Sequence, residues 1–266
     1  MKKTNVFKKM INSLYNIKEL PKYMFEGLGR AVLYLLFISS IFGILQMISP
    51  CVSVNKSINK YIDLLQEDKY NFKVSDGVLK AKTSPIIQEE NNFLIYVDDD
   101  ISIKDTKKLK SKTVNYDQYI LILKDGVNIC VKSMDTKLID DNYNYGELLL
   151  SSDFDNKDLS NQLSMAKIPT ILIMIIFSIL TLFISNLWIA VVFGFMGYIT
   201  SMTLGLRLRY KQLVSLVAYT ITLPLLATII FNIFMPTIDF SMILYIVPLL
   251  LMSLVLWDMR KINRII

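Results

Sequence analysis

The chain has 266 residues, 53% of them hydrophobic, and a formal net charge of +6. It contains no histidine, which excludes Ser-His and Cys-His nucleophile pairs and every zinc site that needs imidazole. Its apolar residues collect in blocks free of Asp, Glu, Lys and Arg, the pattern of a membrane protein rather than of a globular core.

Charge divides unevenly along the chain. Residues 1–49 hold seven basic and two acidic residues, residues 50–167 sixteen and nineteen, and the remainder six and two. The basic excess therefore flanks the apolar blocks, which suits anionic lipid headgroups, and the middle segment is mildly acidic, so no nucleic-acid partner is expected.

Residues 1–30 read as a basic amphipathic helix, cytoplasmic or interfacial. Phe7, Met10, Ile11, Leu14 and Tyr15 fall at helical spacing, with Lys2, Lys3, Lys8 and Lys9 mostly off that stripe. A signal peptide does not fit, because no small-residue cleavage site follows the first apolar run. The first transmembrane helix is expected at 31–49. The basic residues before it put the N-terminus in the cytoplasm and residues 50–167 outside.

That segment, 50–167, reads as a small α+β domain of four to six strands on helical stalks. Val54, Ile58, Tyr61, Ile62 and Leu65 make one helical stripe, a stalk continuing from the first span. Asp76-Gly77 lies between Tyr70–Ser75 and Val78–Lys82, and Asp125-Gly126 between Tyr119–Lys124 and Val127–Lys132. Asp-Gly between alternating apolar runs predicts a tight hairpin, since both residues tolerate positive φ. Phe93–Val97 is a further strand, and Leu148–Leu150 with Leu159–Met165 lead back to the bilayer as a second stalk. Cys51 and Cys130 are either one disulfide or two separate thiols.

Ile168 to Leu206 runs 39 residues without a charge, roughly 58 Å of helix or twice the hydrocarbon thickness. The simplest division is two spans, 168–186 and 187–206, broken near Ser185-Asn186. Further spans follow at 213–234 and 240–257, joined by a turn around Pro236 to Asp239, with a basic tail at 259–266. Five segments turn Arg207–Lys211 and Arg260-Lys261 outward, against the positive-inside rule. A single net crossing of 168–206 would satisfy every basic cluster, and both alternatives stand at this point. The expected fold class is a multi-pass α-helical membrane protein of about five hydrophobic segments with an inserted small α+β extracytoplasmic domain.

Motifs for chemistry are few. The spans carry no ionisable group, which speaks against ion-coupled transport. Tyr219, Thr220, Thr222 and Pro224 form the most polar patch inside a span; a kinked packing helix and a substrate or partner contact both account for it. Asp98, Asp99 and Asp100, with Asp105 nearby, could offer oxygen ligands to a hard cation, but their spacing matches no calcium loop and a solvated strand end is the simpler reading. Candidate partner or ligand contacts are Asp98, Asp99, Tyr219, Thr222 and Pro224. No catalytic, cofactor-binding or metal-ligating residue is expected, and no cofactor.

The stretch FKKMINSLYNIKELPKYMFEGLGRAVLY at 7–34, with FKVSDGVLKAK, FLIYVDD and RLRYKQLVSLVAYTITLPLL at 207–226, resembles domain-of-unknown-function family 1189. This is a group of bacterial membrane proteins of which one branch is labelled maltodextrin-utilization protein. The family's "DT" after the middle strand is Asp98-Asp99 here. The Tyr210-to-Pro224 stretch is also distantly similar to the Yip1 superfamily. The resemblance implies a plasma-membrane protein and no established activity; its label implies a link to sugar uptake, with a sugar transporter as a partner. The expected role is a non-enzymatic accessory, sensor or scaffold whose outer domain binds a ligand or partner. The alternative is a transporter or membrane-shaping protein acting on lipid or an uncharged solute.

Overall fold

The computed structural model describes residues 5–90, 92–132, 138–145, 153–235, 238 and 240–263. Lys2, Lys3, the Leu148–Leu150 stalk residues, Pro236 and Asp239 lie outside these. The chain divides into two compact units: a helical unit of residues 1–52 and 171–266, and a sheet unit of residues 53–170.

In the helical unit, α1 (Val6–Tyr15) starts at Asn5, whose side chain accepts from Phe7 N–H at 3.3 Å. A short 3₁₀ turn and α2 (Leu20–Met24) lead to α3 (Leu28–Gln66). After the sheet unit, which contains the short α4 (Lys110–Thr113), come α5 (Asn156–Thr203), α6 (Tyr210–Thr220), α7 (Thr222–Phe234) and α8 (Ile243–Asn263). α6 and α7 are nearly one rod, because Ile221 keeps helical dihedrals and its N–H still reaches Val217 O at 3.2 Å. Among the described residues four helices are long and apolar enough to cross a membrane: Leu28–Gln66, Asn156–Thr203, Tyr210–Asn232 and Ile243–Lys261.

α3 runs through Pro50, as expected of a stalk that continues from the first span; one missing N–H costs one helical bond, and the stripe from Val54 to Leu65 carries the helix on. One expectation is corrected here: α5 does not break at Ser185-Asn186. Neither residue is a strong helix breaker, and the Asn186 amide donates to Ser39 Oγ of α3 at 3.1 Å. The asparagine is an inter-helix fastener rather than a loop signal, so 168–203 is one helix.

α3 and α5 pack closely and antiparallel. Gly43 lies against the Ile179 backbone, Ser178 Oγ donates to Gly43 O at 3.2 Å, and Gln46 Nε2 donates to Ser178 Oγ at 2.7 Å. Small residues and hydroxyls at such contacts let helix backbones approach. From residue 171 to 202 the exposed side chains of α5 are apolar apart from Thr181 and Ser185, with Ile173, Phe177 and Trp188 among them.

The sheet unit has eight strands among its described residues, more than the four to six expected. β1 (Phe72–Ser75), β2 (Val78–Ala81) and β8 (Phe154–Asp155) form a sheet ordered β2-β1-β8. β3 (Ile86–Glu90), β4 (Phe93–Asp98), β5 (Gln118–Leu123), β6 (Gly126–Lys132) and β7 (Leu138–Asn144) form a second sheet in chain order. Among the described strands only β4 and β5 pair in parallel; the 3₁₀ segment Ile103–Leu109 and α4 make the crossover this requires.

The first Asp-Gly hairpin forms as expected. Asp76 and Gly77 both take positive φ, 53° and 72°, between paired Ser75 and Val78. The second is shifted by one residue. Leu123 pairs with Gly126, so Lys124-Asp125 make the turn and Gly126 is the first residue of β6. Its lack of a side chain is needed for space, since a Cβ there would collide with Tyr143 O and lie 2.9 Å from Ile103 Cδ1. Asp125 turns back instead, accepting from Ile103 N–H and Ser102 Oγ, both at 2.7 Å.

Strand alternation then gives each face of the larger sheet its own core. Leu94, Tyr96, Leu121 and Leu123 pack with Leu109 of the crossover. Val97, with Ile95 and Ile122 beside it, faces Phe72, Val74, Leu79, Tyr145 and Phe154 of the smaller sheet and its surroundings. α5 begins where Asp155 accepts from Lys157 and Asp158 N–H at 2.8 and 2.9 Å while its own N–H donates to Asp158 Oδ2 at 3.1 Å.

Candidate functional site

The acidic strand end is occupied by its own chain. Asp98 is buried, accepting from Tyr96 OH at 2.7 Å through one oxygen and from Asp100 N–H at 3.0 Å through the other. Lys112 Nζ donates to that same Tyr96 hydroxyl at 3.0 Å. Asp99 accepts from Ala81 N–H at 3.0 Å and joins β4 to the end of β2. Ligand oxygens of Asp98, Asp99 and Asp100 lie within 4.8 Å of one another, but two of the three carboxylates are spent on terminating β4.

These bonds predict an acid response. The Ser84 hydroxyl and the Ala81 N–H hold the Asp99 carboxyl below its ordinary range. Burial opposes the Asp125 charge, yet hydrogen bonds from Ile103 N–H and Ser102 overcome it and hold that carboxyl low too. A depressed folded pKa gives stability that is complete above the unfolded value of about 3.9 and is lost as pH falls through the folded value. Proteolysis of the sheet unit in the full chain should therefore accelerate below about pH 4, and less steeply in Asp99→Asn/Asp125→Asn. A rate with no such difference between the two proteins would refute the assignment.

On its opposite face the larger sheet leaves an apolar chamber of about 320 Å³. Ile95, Val97, Ile120 and Ile122 form its floor, Phe93 and Ile86 its side, and Phe72 adds a ring from β1. Tyr61, Leu64 and Leu65 of α3 and Leu159 and Leu163 of α5 line its other wall. Polar residues on the wall are few, Tyr61, Gln88 and Tyr70, and the Tyr70 OH donates to Gln88 Oε1 at 3.1 Å. A cavity of about 150 Å³ lined by aliphatic and aromatic side chains already admits benzene; this chamber is about twice that size. The sequence reading missed it, although Tyr61 and Leu65 stood on the stalk stripe. The residues they meet run from Phe72 in β1 to Leu163 in α5, and no local pattern encodes that meeting.

The other three candidate residues belong to the helical unit, where Tyr219 and Thr222 join a buried polar cluster. Tyr219 and Thr222 are fully buried. Tyr34 OH and Thr222 Oγ1 share a hydrogen bond of 2.5 Å, and the Tyr34 and Tyr219 rings lie 4.6 Å apart. Lys9 Nζ sits 5.5 and 5.6 Å from the ring centres of Tyr23 and Tyr219 and pairs with Glu26 at 2.5 Å. Arg30 reaches the same carboxylate oxygen at 3.2 Å, and Asn12 Nδ2 donates to Tyr23 OH at 2.6 Å. The Tyr219 hydroxyl has no hydrogen-bond partner among the described residues. Pro224 is buried without polar work of its own; it marks the step from α6 to α7, where Thr220 Oγ1 and Thr228 Oγ1 bond back to Val217 O and Pro224 O.

The apolar stretches of the long helices carry no Asp, Glu, Lys or Arg, as read from the sequence; Lys9 of α1 and Glu26 of the turn before α3 bring charge into this cluster from outside them. Candidate residues fall in two units: Asp98 and Asp99 in one, Tyr219, Thr222 and Pro224 in the other. Both cysteines are free, Cys51 in α3 and Cys130 buried in β6.

The family model described as Protein of unknown function (DUF1189) matches residues 7–256. The chain belongs to this family. In this DUF1189 protein the match takes in both halves of the helical unit and the whole sheet unit, so the chamber and the polar cluster both lie inside the shared region. No curated protein and no solved structure matches the chain.

Proposed function

We propose that this DUF1189 protein is a non-enzymatic, multi-pass membrane protein whose sheet unit binds an apolar ligand of the acyl-chain class in the chamber. The observation that carries this reading is the chamber itself, a preformed hollow walled almost wholly by aliphatic and aromatic side chains. A sugar would leave its hydroxyls unpartnered there, at a cost of about 1–3 kcal/mol for each one buried. A link to carbohydrate uptake would therefore run through a partner such as a transporter, not through this wall.

Four crossings also suit the charge rule better than five. With one crossing each for α3, α5, α6–α7 and α8, the N-terminus, Arg207–Lys211 and Arg260-Lys261 fall on one side, the cytoplasmic one, and the sheet unit on the other. The setting would be a bacterial plasma membrane.

The test is photo-crosslinking of the full chain in membranes with a diazirine-bearing fatty acid, followed by peptide mapping. Label should concentrate on Tyr61–Leu65 and Leu159–Leu163 and fall several-fold in Ile120→Trp, which fills the chamber. Label confined to the outer faces of the long helices would sink the proposal. The second reading, a carrier for lipid or an uncharged solute, draws support from the Tyr219 hydroxyl buried beside an ion pair. Label concentrated around Tyr34 and Tyr219 would favour it.

A further inference from the structure

α1 is mounted the wrong way round for a helix on a water-soluble protein. Such a helix turns its apolar stripe to the core and its polar stripe to solvent. Here Lys9, Asn12 and Ser13 face inward, Lys9 only 4% exposed, while Phe7, Ile11 and Tyr15 face outward, at 56, 47 and 72%. Spacings of three and four put each set on one side of the helix.

The inward face is fastened. Lys9 is held by Glu26 and by the rings of Tyr23 and Tyr219, and Asn12 by Tyr23. Rolling the helix to bury its apolar stripe would expose an apolar-lined socket and strand the Glu26 carboxylate. The outward face is also continuous with a long helix, since the Phe7 ring packs edge-on against Phe37 of α3 at 4.9 Å. Phe37 lies nine residues past Leu28, about 13 Å along the axis. The tip of α1 is thus level with the apolar part of α3, not with its entry.

Exposed cations border this stripe. Lys8 is on α1 itself, and Lys18 and Lys22 follow within the next turn and helix. Glu19 is paired with Lys22 and Glu26 with Lys9 and Arg30, while Asp258 lies with Lys18 and Lys261 around one groove. Basic residues outnumber acidic ones at this edge.

We propose that α1 is an in-plane anchor whose outward face enters the acyl boundary of an anionic leaflet, with Lys8, Lys18 and Lys22 contacting the headgroups. Charge complementarity and the seating beside Phe37 select this occupant over a second protein. The inference rests on the membrane placement of the long helices and is independent of what the chamber binds.

Two single-tryptophan variants of the full chain, in lipid nanodiscs, test it. One keeps Trp188 on α5 and carries Trp257→Phe; the other carries Phe7→Trp with Trp188→Phe and Trp257→Phe. Both are read by quenching from brominated lipids, in phosphatidylcholine alone and with about a third phosphatidylglycerol. The Trp188 variant should be quenched in both discs. The Phe7→Trp variant should be quenched by bromines near the headgroup, more strongly with phosphatidylglycerol, and Lys8→Gln/Lys18→Gln should remove that difference. Quenching at Trp188 without quenching in the Phe7→Trp variant overturns the anchor alone, including the case where a second copy covers the face. Quenching there that ignores lipid charge overturns the anionic assignment. No quenching in either variant overturns the membrane placement with it.

Discussion

A Glu26→Ala variant should lose about 3–5 kcal/mol of stability, the cost of breaking a buried ion pair by removing one partner. Its carboxylate is 12% exposed and the Lys9 ammonium facing it 5%. Without Glu26 that ammonium keeps the Tyr23 and Tyr219 rings, and a desolvated cation gains about 2 kcal/mol on an aromatic face. Lys9→Met should cost less, because Glu26 retains Arg30, which is 45% exposed and can follow it toward water. Joining Lys9→Met to Glu26→Ala should restore most of what Glu26→Ala removes, since no unpaired charge remains. The measurement is unfolding of the purified full chain by SDS titration in mild detergent. Equal losses for the single and double variants would show that the pair contributes packing and not charge compensation.

Gly43→Leu should be nearly as damaging, at about 3 kcal/mol. A Cβ at Gly43 already stands 3.0 Å from Ile179 Cγ1 and 3.1 Å from its Cα. The first can rotate away, but the second is backbone of a facing helix and cannot. Three further carbons would push α3 from α5 and break the Ser178-to-Gly43 and Gln46-to-Ser178 bonds. Gly43→Ala sets this contact against the roughly 1 kcal/mol that alanine gains over glycine in a helix, and should come out near neutral. Gly29, in the same helix, has nothing within 4 Å of the place a Cβ would take, so Gly29→Leu is the control that should fold unchanged. The same SDS titration reads all three; a stable Gly43→Leu would mean that α3 and α5 do not pack through this glycine.

What the sequence made legible follows from range. The apolar blocks stand out because a bilayer-length helix must be apolar along its whole length, and the Asp76-Gly77 hairpin because its backbone demand falls on two adjacent residues. The Asp125-Gly126 pair looked the same and was off by one, since Gly126 answers to Tyr143 and Ile103, which only the folded sheet brings near. Ser185-Asn186 read as a break because polar residues interrupt an apolar run, whereas the fold uses Asn186 to bond across to Ser39. Lys9 carried no signal at all. A lysine on the polar stripe of an amphipathic helix normally meets water, and its inward turn depends on Glu26, Tyr23 and Tyr219 arriving from three other places.

The pairing of β1 with β8 has a consequence for how the sheet unit comes into being. Val74 sits beside Phe154, and Asp76 N–H reaches the Asp153 carboxylate at 2.9 Å, so the two ends of a stretch of roughly 80 residues are stitched together. Asn156 adds a bond to Leu65 O at 2.8 Å. Closing so long a loop is entropically slow relative to the hairpins inside it. A growing chain can therefore form β5–β6 and its neighbours early but keeps β1 with β2 alone until Phe154 has emerged. At that moment the last strand and the first turn of α5 arrive together, and the chamber walls from α3 and α5 come into register only then.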